Sequence, residues 1–139
     1  MPDCILKLKS TPNRNNHVSK TEKKKVKHNA ELFFDRGDGI VTLCGSSKFF
    51  SDYAVASQHL SVRKWRVFQN NDVDCQKNDV ISQLKMWVNL SQISTSQAIV
   101  VVTDDTVFLE EFTNIEIAFA KYQNIPVFYF DGKSFFFFE

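Results

Sequence analysis

From residue 39 onward the chain alternates short runs of β-branched and aromatic residues with longer stretches whose apolar positions recur every three or four residues. That alternation predicts a parallel sheet covered by helices. The first run, Ile40-Val41-Thr42-Leu43-Cys44, stops at Gly45-Ser46-Ser47-Lys48. Phe49, Tyr53, Ala56 and Leu60 then recur at helical spacing, which buries one stripe and exposes Ser51, Asp52 and Gln58. Trp65 to Phe68 predicts a second strand, closed by the polar cluster Asn70-Asn71-Asp72. Between Asp79 and Ile93 the apolar positions Val80, Leu84, Trp87, Val88 and Leu90 predict a second helix. Ala98 to Val102 is continuous and β-branched, the pattern of a strand buried on both faces. Leu109 to Tyr122, with Phe112, Ile115, Phe119 and Tyr122 at helical spacing, predicts a third helix. Val127 to Phe130 then predicts a fourth strand, followed by a turn at Asp131-Gly132 and a Phe-rich strand or docking segment.

The order β-α-β-α-β-α-β, with its right-handed crossovers, predicts an open doubly wound parallel sheet of the Rossmann or flavodoxin-like kind, in three layers α/β/α. Ligands of such sheets bind beyond the carboxyl ends of the strands. Three stretches occupy those ends: Cys44 to Lys48, Asn70 to Asp74, and Thr103 to Glu116. They are expected to converge.

Length and charge refine this picture. At 139 residues the chain has room for one core, and 14 phenylalanines should fill much of it. Net charge is +1, yet residues 1–28 hold eight Lys/Arg against two acids and residues 29–139 hold nine against fourteen. Thr11 to Asn29 is polar and carries Lys23-Lys24-Lys25 and Lys27, so residues 1–30 are expected to form a flexible basic arm and residues 31–139 a single α/β domain. Ile5, Leu6 and Leu8 suggest a short strand before the polar stretch Thr11 to Asn29. The basic run reads either as a solvated tail or as a contact for phosphates or nucleic acid. It lacks interleaved aromatics, so base stacking is not suggested. No apolar run approaches the roughly 20 residues of a membrane span, and the N-terminus lacks the apolar core of a secretory signal, which predicts a cytoplasmic protein. Cys4, Cys44 and Cys75 are too few and too widely spaced to predict a disulfide framework or a zinc site. Neither a metal nor a cofactor is expected.

Gly45-Ser46-Ser47 sits where a strand feeds a helix. A glycine there permits close backbone approach, and hydroxyls beside free helix N–H groups suit a phosphate or a ribose hydroxyl. The same serines would serve equally well as helix caps. Asp104, Asp105, Glu110 and Glu111 precede or open the third helix, where its dipole favours acids whatever the function. Glu116 differs, because it stands between Ile115 and Ile117 with Ala118 and Phe119 after it. An acid among apolar neighbours costs free energy unless it is paired or functional. A carboxylate beside an anomeric carbon can act as a nucleophile or stabilise an oxocarbenium-like transition state. That reading requires Glu116 to face an open cavity shared with Ser46; the plainer reading is a buried Glu satisfied by hydrogen bonds.

Two motifs, Ile40-Val41-Thr42-Leu43-Cys44-Gly45-Ser46-Ser47-Lys48-Phe49 and Glu111-x-Thr113-x-x-Glu116-Ile117-x-x-Ala120, resemble the opening strand and the catalytic helix of the nucleoside 2-deoxyribosyltransferase-like superfamily, especially its small, often phage-encoded members. Asn124-Ile125-Pro126-Val127 is similar to the family's approach to its next strand, so the resemblance covers residues 39–130. It implies a transferase or N-glycosidase of nucleotide metabolism that cleaves the N-glycosidic bond of a nucleoside or nucleoside monophosphate. Glu116 would be the nucleophile. Gly45, Ser46 and Ser47 would hold the sugar or its 5′-phosphate, with Glu111 and Thr113 lining the same pocket. Asp72 or Asp74, at the end of the second strand, could protonate the leaving base; topology alone suggests that role. The resemblance also implies a homo-oligomer, a dimer or higher, whose pocket is completed across the interface. Asn89 to Gln97 lacks the His and Asp-x-x-Asp pattern of many small relatives, and Asp104 to Leu109 replaces their glycine-rich loop. A phosphoribohydrolase of the lysine-decarboxylase-like type shares the Cys-Gly-Ser-Ser turn, but its Pro-Gly-Gly loop is missing here. The alternative expectation is a non-catalytic module of the same fold that binds or sequesters a nucleotide.

Overall fold

The structure is a computed structural model in which residues 24–139 are described. Among these residues six strands form one sheet: β1 (Lys25–Val26), β2 (Ile40–Gly45), β3 (Arg66–Gln69), β4 (Ala98–Val102), β5 (Val127–Phe130) and β6 (Phe135–Phe138). Four helices connect or flank them: α1 (His28–Asp35), α2 (Phe50–Val62), α3 (Val80–Ser94) and α4 (Glu111–Tyr122). The strand order is β1-β6-β5-β4-β2-β3. Strands β3, β2, β4 and β5 are parallel, while β6 runs antiparallel to β5 and β1 antiparallel to β6. The protein is therefore a mixed α/β structure with a mostly parallel sheet.

Burial follows the predicted periodicities in most elements. Every residue of β4 is buried, as its continuous apolar run requires in the middle of a sheet covered on both sides. In α2, Tyr53, Ala56 and Leu60 turn inward and Ser51 and Gln58 outward. Two apolar clusters lie on opposite faces of the sheet. One joins α1 and α2 to Val41, Leu43, Val100, Val102, Phe128 and Phe130; the other joins α3 and α4 to Cys44, Ile99, Val101, Tyr129 and Phe136.

The structured part starts earlier than the polar composition suggested. Lys25 and Val26, inside the stretch expected to be an arm, pair with Phe138 and Phe137, and His28 opens α1. Phe33 and Phe34 explain why a polar stretch joins the fold here. Phe34 is fully buried, with ring centroids 4.7 Å from Phe128 and 4.8 Å from Phe135. The Trp65 indole N–H donates to the Phe34 carbonyl at 2.8 Å, and Arg63 ties α1 to the end of α2 through Glu31 and Asp35. The short strand expected at Ile5 to Leu8, and the remainder of the basic stretch before Lys24, lie outside the described residues.

Helix α3 departs most from expectation. Of the five apolar positions that predicted it, only Leu90 is buried; Val80, Leu84, Trp87 and Val88 face outward while Ser82, Met86, Asn89 and Ile93 pack inward. Among the described residues no helix is long and apolar enough to cross a membrane.

The aromatic cluster around Phe34 yields a test. Phe34→Ala should lower unfolding free energy by about 3–5 kcal/mol, the usual cost of removing a buried phenyl ring, read from urea denaturation. A loss under about 1 kcal/mol would mean that α1 does not dock on the sheet as described.

Candidate functional site

The strand order reverses between β2 and β4: from β2 the chain moves outward to β3, then returns to the other side of β2 to form β4. In doubly wound parallel sheets the loops leaving the carboxyl ends of two such strands diverge, and this is where a ligand crevice is expected.

On the β2 side the chain must turn sharply, and Gly45 allows it. Its φ is +136°, and an added Cβ would fall 2.5 Å from the Val102 carbonyl oxygen and 3.2 Å from the Tyr53 hydroxyl. No side chain fits there without displacing β4 backbone. Ser46 is buried, and its hydroxyl oxygen accepts the Lys48 N–H at 3.2 Å, capping the 3-10 turn Ser47–Phe49 that leads into α2. Ser47 is exposed. The Lys48 ammonium lies 3.8 Å from the Phe108 ring centroid, so it bridges the turn after β2 and the loop after β4.

That second loop, Thr103 to Glu110, is held by its own side chains. Asp104 Oδ1 accepts from the Thr106 N–H, the Thr106 hydroxyl and the Phe108 N–H, at 3.1, 2.6 and 3.3 Å. Burial raises the Asp104 pKa, but these hydrogen bonds and the Lys48 charge outweigh it and hold the carboxyl below its ordinary range. The Thr103 hydroxyl donates to the Phe108 carbonyl at 2.8 Å. Val107 is buried at φ +56°, a conformation that costs a β-branched residue roughly 1–3 kcal/mol. The acids therefore divide: Asp104 organises the loop, Glu110 stands at the N-cap of α4 without a side-chain cap bond, and Glu111 is exposed in its first turn.

Glu116 lies on the inward face of α4 and is only 3% exposed. The Asn70 side-chain amide donates to its Oε2 at 2.8 Å and also contacts the Cys44 sulfur at 3.6 Å. Burial pushes the Glu116 pKa up to about 8, against hydrogen bonds from Asn70, Cys44 and Asn89 that favour the charged form. Burial likewise raises the Cys44 thiol, and the neighbouring Glu116 carboxyl adds to the effect. Asn70 is itself positioned by Asn89 of α3, which grips the next residue as a second peptide group would: its Oδ1 accepts the Asn71 N–H at 3.0 Å and its amide donates to the Asn71 carbonyl at 2.9 Å. Buried Tyr53, on α2, senses the same group. Its phenol pKa is raised first by burial and then by Cys44, Glu116, Asp72 and Glu110.

The three stretches do converge, through Cys44, Asn70 and Glu116. The individual residues fare differently. Thr113 is buried one turn before Glu116 on α4. Asp72 is exposed on the loop after β3, within electrostatic reach of Tyr53. Asp74 accepts the Gln76 N–H at 2.9 Å and so shapes its own loop. The Glu116 carboxyl does not face an open cavity; it is enclosed by Asn70, Cys44 and Asn89. Sequence reasoning missed Tyr53, Asn70 and Asn89. Only Asn89 left a usable signal, an amide on the same helical stripe as Met86, Leu90 and Ile93. Among the described residues no group of three or more His, Cys, Asp and Glu side chains could hold a metal ion. Cys75, for which the spacing of cysteines predicted no bond, is disulfide-bonded; separation along the chain does not report separation in space.

Two tests follow from this geometry. Glu116 is protonated in the folded chain up to pH about 8 but ionises near 4.5 when unfolded, so the unfolded state binds fewer protons across that window and stability falls as pH rises through it. Relative to Glu116→Gln, the wild-type chain should lose on the order of a few kcal/mol between pH 5 and 8 and level off above. Parallel urea-denaturation profiles for the two proteins would refute the assignment. Asn70→Asp replaces the donor with an acid facing Glu116, and should cost roughly 2–4 kcal/mol at neutral pH, with recovery near pH 4 where both carboxyls are neutral. An equal loss at both pH values would mean that charge is not the cause.

No protein-family model matches the chain, and neither a curated protein nor a solved structure matches it.

Proposed function

We propose that the chain is a nucleoside- or nucleotide-binding domain that holds its ligand in the crevice between β2 and β4 without cleaving it. The observation that carries this reading is the state of Glu116. A carboxyl enclosed by Asn70, Cys44 and Asn89, with a pKa near 8, keeps its proton at neutral pH, and a neutral carboxyl is a poor nucleophile. The parallel order β3-β2-β4-β5 supports an open doubly wound fold of the flavodoxin-like kind, whose crevice lies where the order reverses. Gly45 lets the chain turn tightly against β4 at that point. Ser47 and Lys48 suit the phosphate end of a ligand, and Asp72 and Glu110 suit sugar hydroxyls or base amino groups.

A second reading, cleavage or transfer at the N-glycosidic bond, draws on the gathering of Cys44, Glu116, Asp72 and Glu110 within electrostatic reach of Tyr53. Such a concentration of titratable groups beside perturbed carboxyls is common in active sites. In that reading Glu116 attacks the anomeric carbon and Asp72 protonates the leaving base. Turnover would then rise with pH through about 8, as Glu116 gives up its proton.

Calorimetry and chromatography on the same samples separate the readings. Deoxynucleosides, ribonucleosides and their monophosphates are titrated into the protein, and the mixtures are then assayed for free base. The binding reading expects saturable heat for at least one ligand, no free base, unchanged affinity in Glu116→Gln, and a selective several-fold loss of monophosphate affinity in Lys48→Ala. Release of base that Glu116→Gln abolishes would replace it with the catalytic reading. Absence of both binding and release across the panel would refute both.

A further inference from the structure

Between α4 and the strands β5 and β6 lies a cavity of about 240 Å³. Asn114, Ile117 and Lys121 line it from a single stripe of the helix, and Val127, Tyr129 and Phe138 line it from the strands. Leu109, before α4, completes the wall. None of these side chains takes part in the Glu116 network or in the turn after β2. The lining is mostly apolar, and the rings of Tyr129 and Phe138 meet edge to face with centroids 4.9 Å apart. Its polar groups are one phenol, one carboxamide and one ammonium, with no acid among them.

The phenol is the telling one. Tyr129 is only 5% exposed, and its hydroxyl forms no hydrogen bond with any described residue, whereas a buried phenol ordinarily finds a partner. No fully buried side-chain oxygen among the described residues lacks a partner. The Tyr129 oxygen is therefore the part of the side chain left accessible, and the cavity is the space it opens onto. Burial pushes its pKa up to about 12, so the hydroxyl keeps its proton and can donate. Asn114 uses one amide N–H on the Glu110 carbonyl at 3.4 Å and keeps the other. Lys121 makes no ion pair among the described residues. Three donors, one of them cationic, thus border an apolar space that no acid shares.

We propose that this cavity is a binding site, separate from the crevice between β2 and β4, for a small carboxylate with an apolar body of about one aromatic ring. An apolar cavity of about 150 Å³ takes a benzene ring, so the larger volume here leaves room for the carboxyl group as well. The ring packs between Ile117, Val127 and Phe138, and the carboxylate accepts from the Tyr129 hydroxyl and meets the Lys121 ammonium at the rim. Such a mostly apolar wall with a few placed donors is the usual make-up of a small-molecule site, and hydrogen bonds to a charged acceptor are the strong kind. The proposal does not rest on what the crevice holds.

The test titrates benzoate, and benzyl alcohol as its neutral counterpart, into the full chain labelled at Ile and Leu methyl groups. Benzoate should shift the Leu109 and Ile117 methyl resonances saturably and leave Leu60, on the other face of the sheet, unmoved. It should bind about tenfold more tightly than benzyl alcohol, the advantage of a charge-assisted hydrogen bond. Tyr129→Phe removes only an oxygen that has no partner in the free chain, so the melting temperature should hold while benzoate affinity falls about tenfold. Lys121→Gln, at an exposed position, should weaken benzoate several-fold and leave benzyl alcohol unchanged. No saturable shift at Leu109 and Ile117, equal affinity for the two probes, or an undiminished benzoate affinity in Tyr129→Phe would overturn the proposal.

Discussion

A carboxyl group buried with no cation beside it constrains the architecture of this protein more than any other single group. Taking Glu116 out of water is costly, and among the described residues nothing of opposite charge meets it. The chain offsets that cost in two ways: the group keeps its proton to about pH 8, and the Asn70 amide supplies a hydrogen bond. Asn70 can do so only because the loop after β3 is fixed, and the loop is fixed because Asn89 of α3 grips Asn71. One proton on α4 is thus tied to β2, to the end of β3 and to α3. Partly satisfied polar networks of this kind are destabilising, and fully satisfied ones specify a unique arrangement. Here no buried side-chain nitrogen or oxygen among the described residues lacks a partner.

The sequence made the element order from Ile40 to Phe138 legible, because each of those elements has its own period. Strand β4 is continuously apolar, and Phe49 of the preceding turn and Tyr53, Ala56 and Leu60 of α2 are buried as their spacing required. What escaped is instructive. Helix α1 was hidden inside a basic, polar stretch, since its docking depends on Phe33 and Phe34 meeting Phe128 and Phe135, partners that no local pattern reveals. In α3 periodicity announced a helix correctly but not its orientation. Apolar spacing reports which residues share a face; whether that face turns to the sheet or away is decided by the polar contacts of Asn89.

The site was legible as a location more than as a chemistry. Carboxyl ends of parallel strands can be placed from topology, so the convergence of the three stretches that carry Cys44, Asn70 and Glu116 could be anticipated, though not the part Asn70 plays in it. Whether Glu116 would be open or enclosed could not, because the answer lies with an Asn contributed by one loop and a second Asn on another helix. A motif fixes which side chains are available. The protonation of Glu116 is set by neighbours drawn from three other elements, β2, the end of β3 and α3.

The pairing of β1 with β6, and of Phe34 with Phe128 and Phe135, bears on how the protein is made. Trp65 follows α1 within about thirty residues, yet the helix's partners on the sheet, Phe128 and Phe135, emerge roughly a hundred residues later, a delay of about 5–20 s at ordinary rates of synthesis. Throughout that interval Phe33 and Phe34 have no sheet to cover them. A nascent chain therefore carries two uncovered phenyl rings beside a basic stretch until β5 and β6 have been made, and only then can Lys25 take its place against Phe136.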